Sequence, residues 1–324
     1  MADHAFPLDE SMTTPIPAPK DRPVLALLLL ILVPLALGGL LAPHAFNGLQ
    51  ALGEKTDALT KLTDAPFERV ANRCVLITAI LILIPAIRMS GLHRKLRIEL
   101  RPNRTRIREL WVGMVLGLLS IAMLYAAGAW LGIFTWSSSL PGGWSIAGKL
   151  LVFVISALFI GLFEEIFFRG FVHGAFRPLL PGSIAIVLSS AFFSGIHFLR
   201  PSRQPVDLPV AWYEGYALLG RLLDRFQWDT QWPFMLTLFL IGLTLATFYE
   251  KRGNLFLISG LHAGWVLALR SFTYLLKTIP GDPHPWFGKS DNVAQGPIAI
   301  FAIIWFLAAA MLCKGRDKTK ATQT

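Results

Sequence analysis

Three short polar clusters interrupt long apolar runs in this sequence. One run reads Phe163-Glu164-Glu165-Ile166-Phe167-Phe168-Arg169-Gly170, a second Phe193-Ser194-Gly195-Ile196-His197, a third Gly260-Leu261-His262-Ala263-Gly264-Trp265. Ionisable side chains in such surroundings are costly, and within a membrane span they mark function by default. Glu165 and Arg169 are four apart, so on a helix they share a face and can pair. Glu164 points about 100° away from Glu165 and meets only Phe167 and Phe168 one turn on. It therefore needs a partner on another helix, a water, a metal ion or a proton. A carboxylate and two imidazoles brought together from three segments suit acid–base chemistry at a water molecule. The same set suits a His₂Glu zinc site with an open position, or the proton relay of a transporter. Plain interhelical hydrogen bonds are the structural alternative, but adjacent glutamates in a phenylalanine-rich run are an expensive way to hold helices together. No serine or cysteine has a base at suggestive spacing, and no His-Glu-x-x-His helix is present.

The elements that must carry these residues follow from composition. The 324 residues are 54% hydrophobic and only 15% charged, against roughly 25% charged in soluble domains. Apolar runs lie near 23–43, 70–92, 110–134, 146–176, 183–199, 232–250, 254–275 and 294–313. Each approaches the length of about 20 residues that a helix needs to cross a bilayer. The expected fold is all-α, a polytopic membrane protein of about eight transmembrane helices over 23–313. A proline-rich polar tail over 1–22 and a basic tail over 314–324 flank it. Between spans five and six, Trp212, Tyr216, Leu219, Leu223 and Phe226 recur at helical spacing, which predicts a surface helix over 211–226 lying on the bilayer. Cys74 and Cys313 sit in separate apolar runs and suggest neither a disulfide framework nor a thiolate zinc site.

Depth can be compared from chain length. Glu164 and His197 stand nearly equal numbers of residues from the turn at Pro181, so both rise roughly 25 Å from it. His262 lies only roughly 13 Å beyond the turn at Gly253, which predicts a shallower position unless a tilt or a broken helix closes the gap.

The net charge of +10 is not a nucleic-acid signature, because the basic residues fall between apolar runs. Arg94, Lys95, Arg97, Arg101, Arg104, Arg106 and Arg108 crowd one connection, which the positive-inside rule assigns to the cytoplasm. An even number of spans then puts both termini there, in a pattern that fits a bacterial inner or plasma membrane. The lipid bilayer is the partner of the positive charge.

The three motifs in this order resemble the CAAX-processing and bacteriocin-processing intramembrane proteases, which include the type II CAAX prenyl endopeptidases. The resemblance rests on EExxxR (Glu164, Glu165, Arg169), FxxxH (Phe193, His197) and a later His before a small residue (His262, Ala263), and covers about residues 146–275. It implies an intramembrane endopeptidase acting on a membrane-bound peptide or lipoprotein. Glu164 would activate water, and His197 and His262 would position that water or stabilise the oxyanion. Glu165 and Arg169 would hold the fourth helix, with Phe193 supporting. No cofactor is favoured; zinc on Glu164, His197 and His262 is the alternative. The family's third motif continues to an Asn four residues after its His, and here that position is Val266. That departure motivates a second reading, a non-proteolytic scaffold or immunity-type protein of the same fold, and the buried Glu/His/Arg set leaves a third, a proton-coupled transporter. The absence of repeat symmetry between the halves weighs against the transporter.

Overall fold

The computed structural model describes residues 22–53, 64–199, 205–224, 226–280, 284, 286–287 and 291–312. The tails expected over 1–22 and 314–324, apart from Arg22, lie outside the described residues, as does Cys313. Helix α1 spans Pro23–Gly53, α2 Phe67–Met89, α3 His93–Glu99 and α4 Arg104–Trp130. Strand β1 (Phe134–Trp136) follows. Helix α5 runs from Gly143 to Phe176, with a π-helical stretch at Ile166–His173. Next come α6 (Gly182–Ile196), α7 (Glu214–Gly220), α8 (Trp228–Arg252) and α9 (Phe256–Leu275). Strand β2 (Leu276–Thr278) and α10 (Pro297–Leu312) complete the order.

The architecture is all-α and apolar, as the composition requires, and each of the eight apolar runs contains a helix. Five of the helices, α1, α2, α4, α5 and α8, are long and apolar enough to cross a membrane. Helices α6 and α10 are apolar but shorter, at 15 and 16 residues. The only strands among the described residues form the antiparallel pair β1–β2, in register Phe134↔Thr278. Because β1 follows α4 and β2 follows α9, this pair ties the far ends of those helices together, opposite the basic connection that precedes α4.

Lipid offers apolar helices no hydrophobic reason to associate, so close packing of small residues has to do it. Helices α4 and α9 meet through two such pairs, Gly113 with Gly117 and Gly260 with Gly264. A Cβ on Gly260 would collide with the Leu110 carbonyl, and one on Gly264 with that of Met114. Gly161 of α5 sits as tightly against Ser259 and Ala263 on the other side of α9. His262 is thus clamped from both sides by backbone contact. The short turn into α9 is set by Gly253, whose φ of +64° favours glycine, and by Asn254, whose Oδ1 accepts from the Phe256 N–H at 3.1 Å.

The predicted surface helix over 211–226 is helical only at Glu214–Gly220. It docks on α1, where Gly215 lies against the Gly39 carbonyl and the Tyr216 hydroxyl donates to Ala36 O at 3.0 Å. Spacing alone extended it too far, because the aromatic residues that continue the pattern are satisfied by contact with lipid or protein in any local conformation.

Candidate active site

Glu165 is fully buried and Arg169 nearly so, and they pair at 2.7 Å across one turn of α5. The second guanidinium nitrogen donates to the Gly242 carbonyl of α8 at 3.2 Å. The guanidinium also lies over the Phe193 ring at 4.9 Å and near Phe168 at 5.9 Å. The π-helical stretch that begins at Ile166 carries Arg169; such stretches widen the helix and recur at functional sites.

His262 reaches this pair from α9. Its Nδ1 donates to Glu165 Oε1 at 2.8 Å, so that oxygen accepts from both Arg169 and His262. On the other side of the ring, Nε2 lies 3.7 Å from Glu164 Oε2. That is ion-pair range and too long for a hydrogen bond. Glu164 keeps 26% of its side chain accessible. Its Oε2 and Glu165 Oε2 are buried atoms with no hydrogen-bond partner among the described residues.

His262 is therefore level with the glutamates, and the depth expected from counting residues is corrected. Residues 177–181 turn over and do not climb, with Leu179 and Leu180 N–H groups returning to Phe176 O. The π-helical stretch also fits more residues into each turn. Both features leave Glu164 closer to the turn than a straight α-helix would.

His197 joins through Phe193. It is the C-cap of α6, so it stands at a helix end and not within a span, and its N–H closes a tight turn to Ser194 O at 3.2 Å. Its ring packs on Phe193 at 4.7 Å, and that same Phe193 ring contacts His262 at 6.0 Å. Since a carbonyl only accepts, the 2.7 Å contact from His197 Nδ1 to Phe193 O puts the proton on Nδ1. In the neutral ring Nε2 is then the acceptor.

Val266 and Asn254, on either side of His262 in the sequence, are both accounted for by their contacts. Val266 packs in an apolar cluster with Met114, Ala157 and Leu267. Asn254 is engaged in the turn and with Glu109 Oε2 at 3.1 Å. Among the described residues, no three His, Cys, Asp or Glu side chains come together as a set able to hold a metal ion.

Sequence reasoning missed the Gly242 carbonyl, which no side chain announces, and the Gly113/Gly117 and Gly260/Gly264 pairs, which were legible as small-xxx-small spacing. One turn beyond Arg169, His173 is at a position from which a structural pairing with a glutamate is expected, and a second ionic network lies there. His173 Nε2 meets Glu250 Oε1 at 2.7 Å and Arg177 Nε donates to the same oxygen at 3.0 Å. Beside it, the Tyr249 hydroxyl donates to buried Glu99 at 2.8 Å.

A buried Glu–Arg pair with a histidine on the carboxylate and a second, more open glutamate defines a helical membrane protein built around an ionisable centre. Residues 146–268 match the family model for Type II CAAX prenyl endopeptidase Rce1-like proteins, a segment that contains all three motifs. The match supports a protein of the CAAX-processing and bacteriocin-processing family and a protease-type hydrolase integral to the membrane. No curated protein and no solved structure matches the chain.

Proposed function

We propose that this protein is an intramembrane endopeptidase in which Glu164 activates a water molecule to hydrolyse a peptide bond of a membrane-associated peptide or lipoprotein. The observation that carries the reading is the contrast within the glutamate pair. Glu165 is fixed by Arg169 and His262, while Glu164 beside it is partly accessible and carries an unpartnered oxygen facing His262 Nε2. Glu164 takes a proton from water as the hydroxide oxygen bonds to the scissile carbonyl carbon. It returns the proton to the leaving amine as the tetrahedral intermediate collapses.

The histidines divide the remaining work. With its proton held on Nδ1 by Phe193 O, His197 presents Nε2 as an acceptor suited to orienting the water. His262, held by Glu165 at Nδ1, donates from Nε2 to the oxyanion in its protonated form. Val266 adds no donor, so the oxyanion relies on His262. A glutamate-activated water is preferred to zinc on Glu164, His197 and His262 because the sequence has no His-Glu-x-x-His helix. The basic connection between α2 and α4 supports cytoplasmic termini, and a bacterial inner membrane is the setting proposed.

The test is cleavage by the reconstituted protein. Glu164→Ala, His197→Ala and His262→Ala each abolish it with the fold intact, and chelators leave it unchanged. Cleavage that survives all three substitutions overturns these catalytic roles, and a wild type that cleaves nothing while binding a partner unaffected by Glu164→Ala favours a non-proteolytic scaffold. Val266→Asn increases the rate if an oxyanion donor is what the site lacks.

A further inference from the structure

A cavity of about 550 Å³ opens at the far end of the bundle, between α5, the end of α9 and the β1–β2 pair. Its walls include Ser137, Ser139, Leu140, Phe153, Arg270 and Lys277. Arg270 Nη1 donates to Ser156 Oγ at 2.7 Å, which spreads the guanidinium across from α9 to α5. Lys277 Nζ is held by Thr273 O at 3.2 Å and Asp291 Oδ2 at 3.0 Å. Lys149 stands over the Phe153 ring at 5.6 Å. Two cations thus line the cavity and a third, Lys149, stands over the Phe153 ring in its wall; among the described residues the only carboxylate in ion-pair range of any of them is Asp291, on Lys277.

The position says what kind of anion this is for. Trp136 closes β1 and Trp144 opens α5, at the same end of the bundle, and they are 68% and 94% exposed. Exposed tryptophan gathers at the headgroup level of a bilayer. Beyond Trp144, α5 shows the exposed apolar side chains Leu151, Val152 and Ile155, a surface for acyl chains. The cavity is therefore cationic and hydroxyl-lined on its protein side and borders on lipid below.

We propose that this cavity binds the headgroup of an anionic glycerophospholipid. The phosphate sits between Arg270 and Lys277, the Ser137 and Ser139 hydroxyls contact the glycerol or headgroup, and one acyl chain follows Phe153 into the membrane. A volume of this size accommodates a headgroup. Arg270 lies two turns beyond His262 on α9, so the bound lipid braces the helix that delivers His262 without entering the ionisable centre.

The experiment compares full-length protein in phosphatidylglycerol and phosphatidylcholine nanodiscs, reading thermal stability, with native mass spectrometry for retained lipid. Wild type retains phosphatidylglycerol selectively and is stabilised by it. Arg270→Gln and Lys277→Gln each weaken retention about fivefold, the effect of one interfacial charge. Leu140→Trp, which keeps every charge but fills the cavity, removes it. Equal retention of the two lipids by the wild type, selectivity undiminished in Arg270→Gln, or selectivity that persists in Leu140→Trp overturns the proposal. Stabilisation by soluble glycerol phosphate equal to that by the lipid overturns the lipid as its source.

Discussion

Two ionic clusters share helix α5, and they treat their glutamates differently. Toward the end of α5, Glu250 Oε1 accepts from both His173 and Arg177 while the side chain still reaches solvent, and neighbouring Glu99 accepts from Tyr249 and lies 3.8 Å from Lys95. No carboxylate oxygen there is buried without a partner among the described residues. Two turns earlier, Glu164 and Glu165 each keep one that is. Buried polar atoms are nearly always bonded, and leaving one unbonded costs about 1–3 kcal/mol. The same residue types therefore build a structural tie in one place and a centre with unused bonding capacity in the other. Type and burial do not separate the two; saturation of the acceptors does.

The comparison breaks most decisively at the glutamates themselves. Glu164→Gln keeps the shape of the side chain and removes its capacity as a base, so cleavage falls by roughly 10²–10⁴-fold with thermal stability near wild type. Glu250→Gln gives the reverse pattern: the unfolding temperature drops because His173 and Arg177 lose their shared anion, while activity remains. Initial cleavage rates and thermal melts of the purified variants in one detergent measure both. Equal losses of activity in the two variants would remove the distinction between the clusters.

Arg169→Met sharpens it next. The substitution leaves Glu165 buried beside His262 with half of its countercharge gone, and breaking a buried pair in this way costs about 3–5 kcal/mol. Both stability and activity fall, because Glu165 also holds His262. Arg177→Met, at the half-buried end of the second cluster, costs no more than about 1 kcal/mol. Chemical denaturation of the two variants side by side distinguishes these outcomes.

The sequence carried most of the chemistry and much less of the geometry. Glu165 with Arg169 was readable because a helix fixes the i,i+4 relation, and Phe193 with His197 for the same reason. The partner of His262 was not readable. Its depth depends on the π-helical stretch of α5 and on five residues that turn over before α6, and neither has a hydrophobic period. The clamp on α9 was written in Gly113, Gly117, Gly260 and Gly264, yet glycine spacing says only that a helix can approach closely, not which one does. The tie between Tyr249 and Glu99 joins residues 150 apart and leaves no local trace.

The smallest effects lie in the pH dependence of stability, and they carry opposite signs at the two ends of the bundle. Burial pushes the Glu99 carboxyl above its ordinary value, outweighing the attraction of Lys95 and the Tyr249 hydrogen bond. The folded protein then holds a proton that the unfolded chain releases, so stability falls as pH rises from the ordinary glutamate range to the raised value. For Asp291, burial is outweighed by hydrogen bonds from Thr278 and Lys277, and its carboxyl titrates below the ordinary value. Its contribution is present above the ordinary aspartate range and is lost as pH falls through the lowered value. Melting temperatures across the acid range test both. Glu99→Gln removes the part of the profile that declines with rising pH, Asp291→Asn removes the part that declines with falling pH, and Tyr249→Phe steepens the first by taking away a bond that favours the Glu99 anion. A Tyr249→Phe profile that superimposes on wild type would mean that the hydroxyl does not tune Glu99, and the second cluster would then be held by its His173–Glu250–Arg177 half alone.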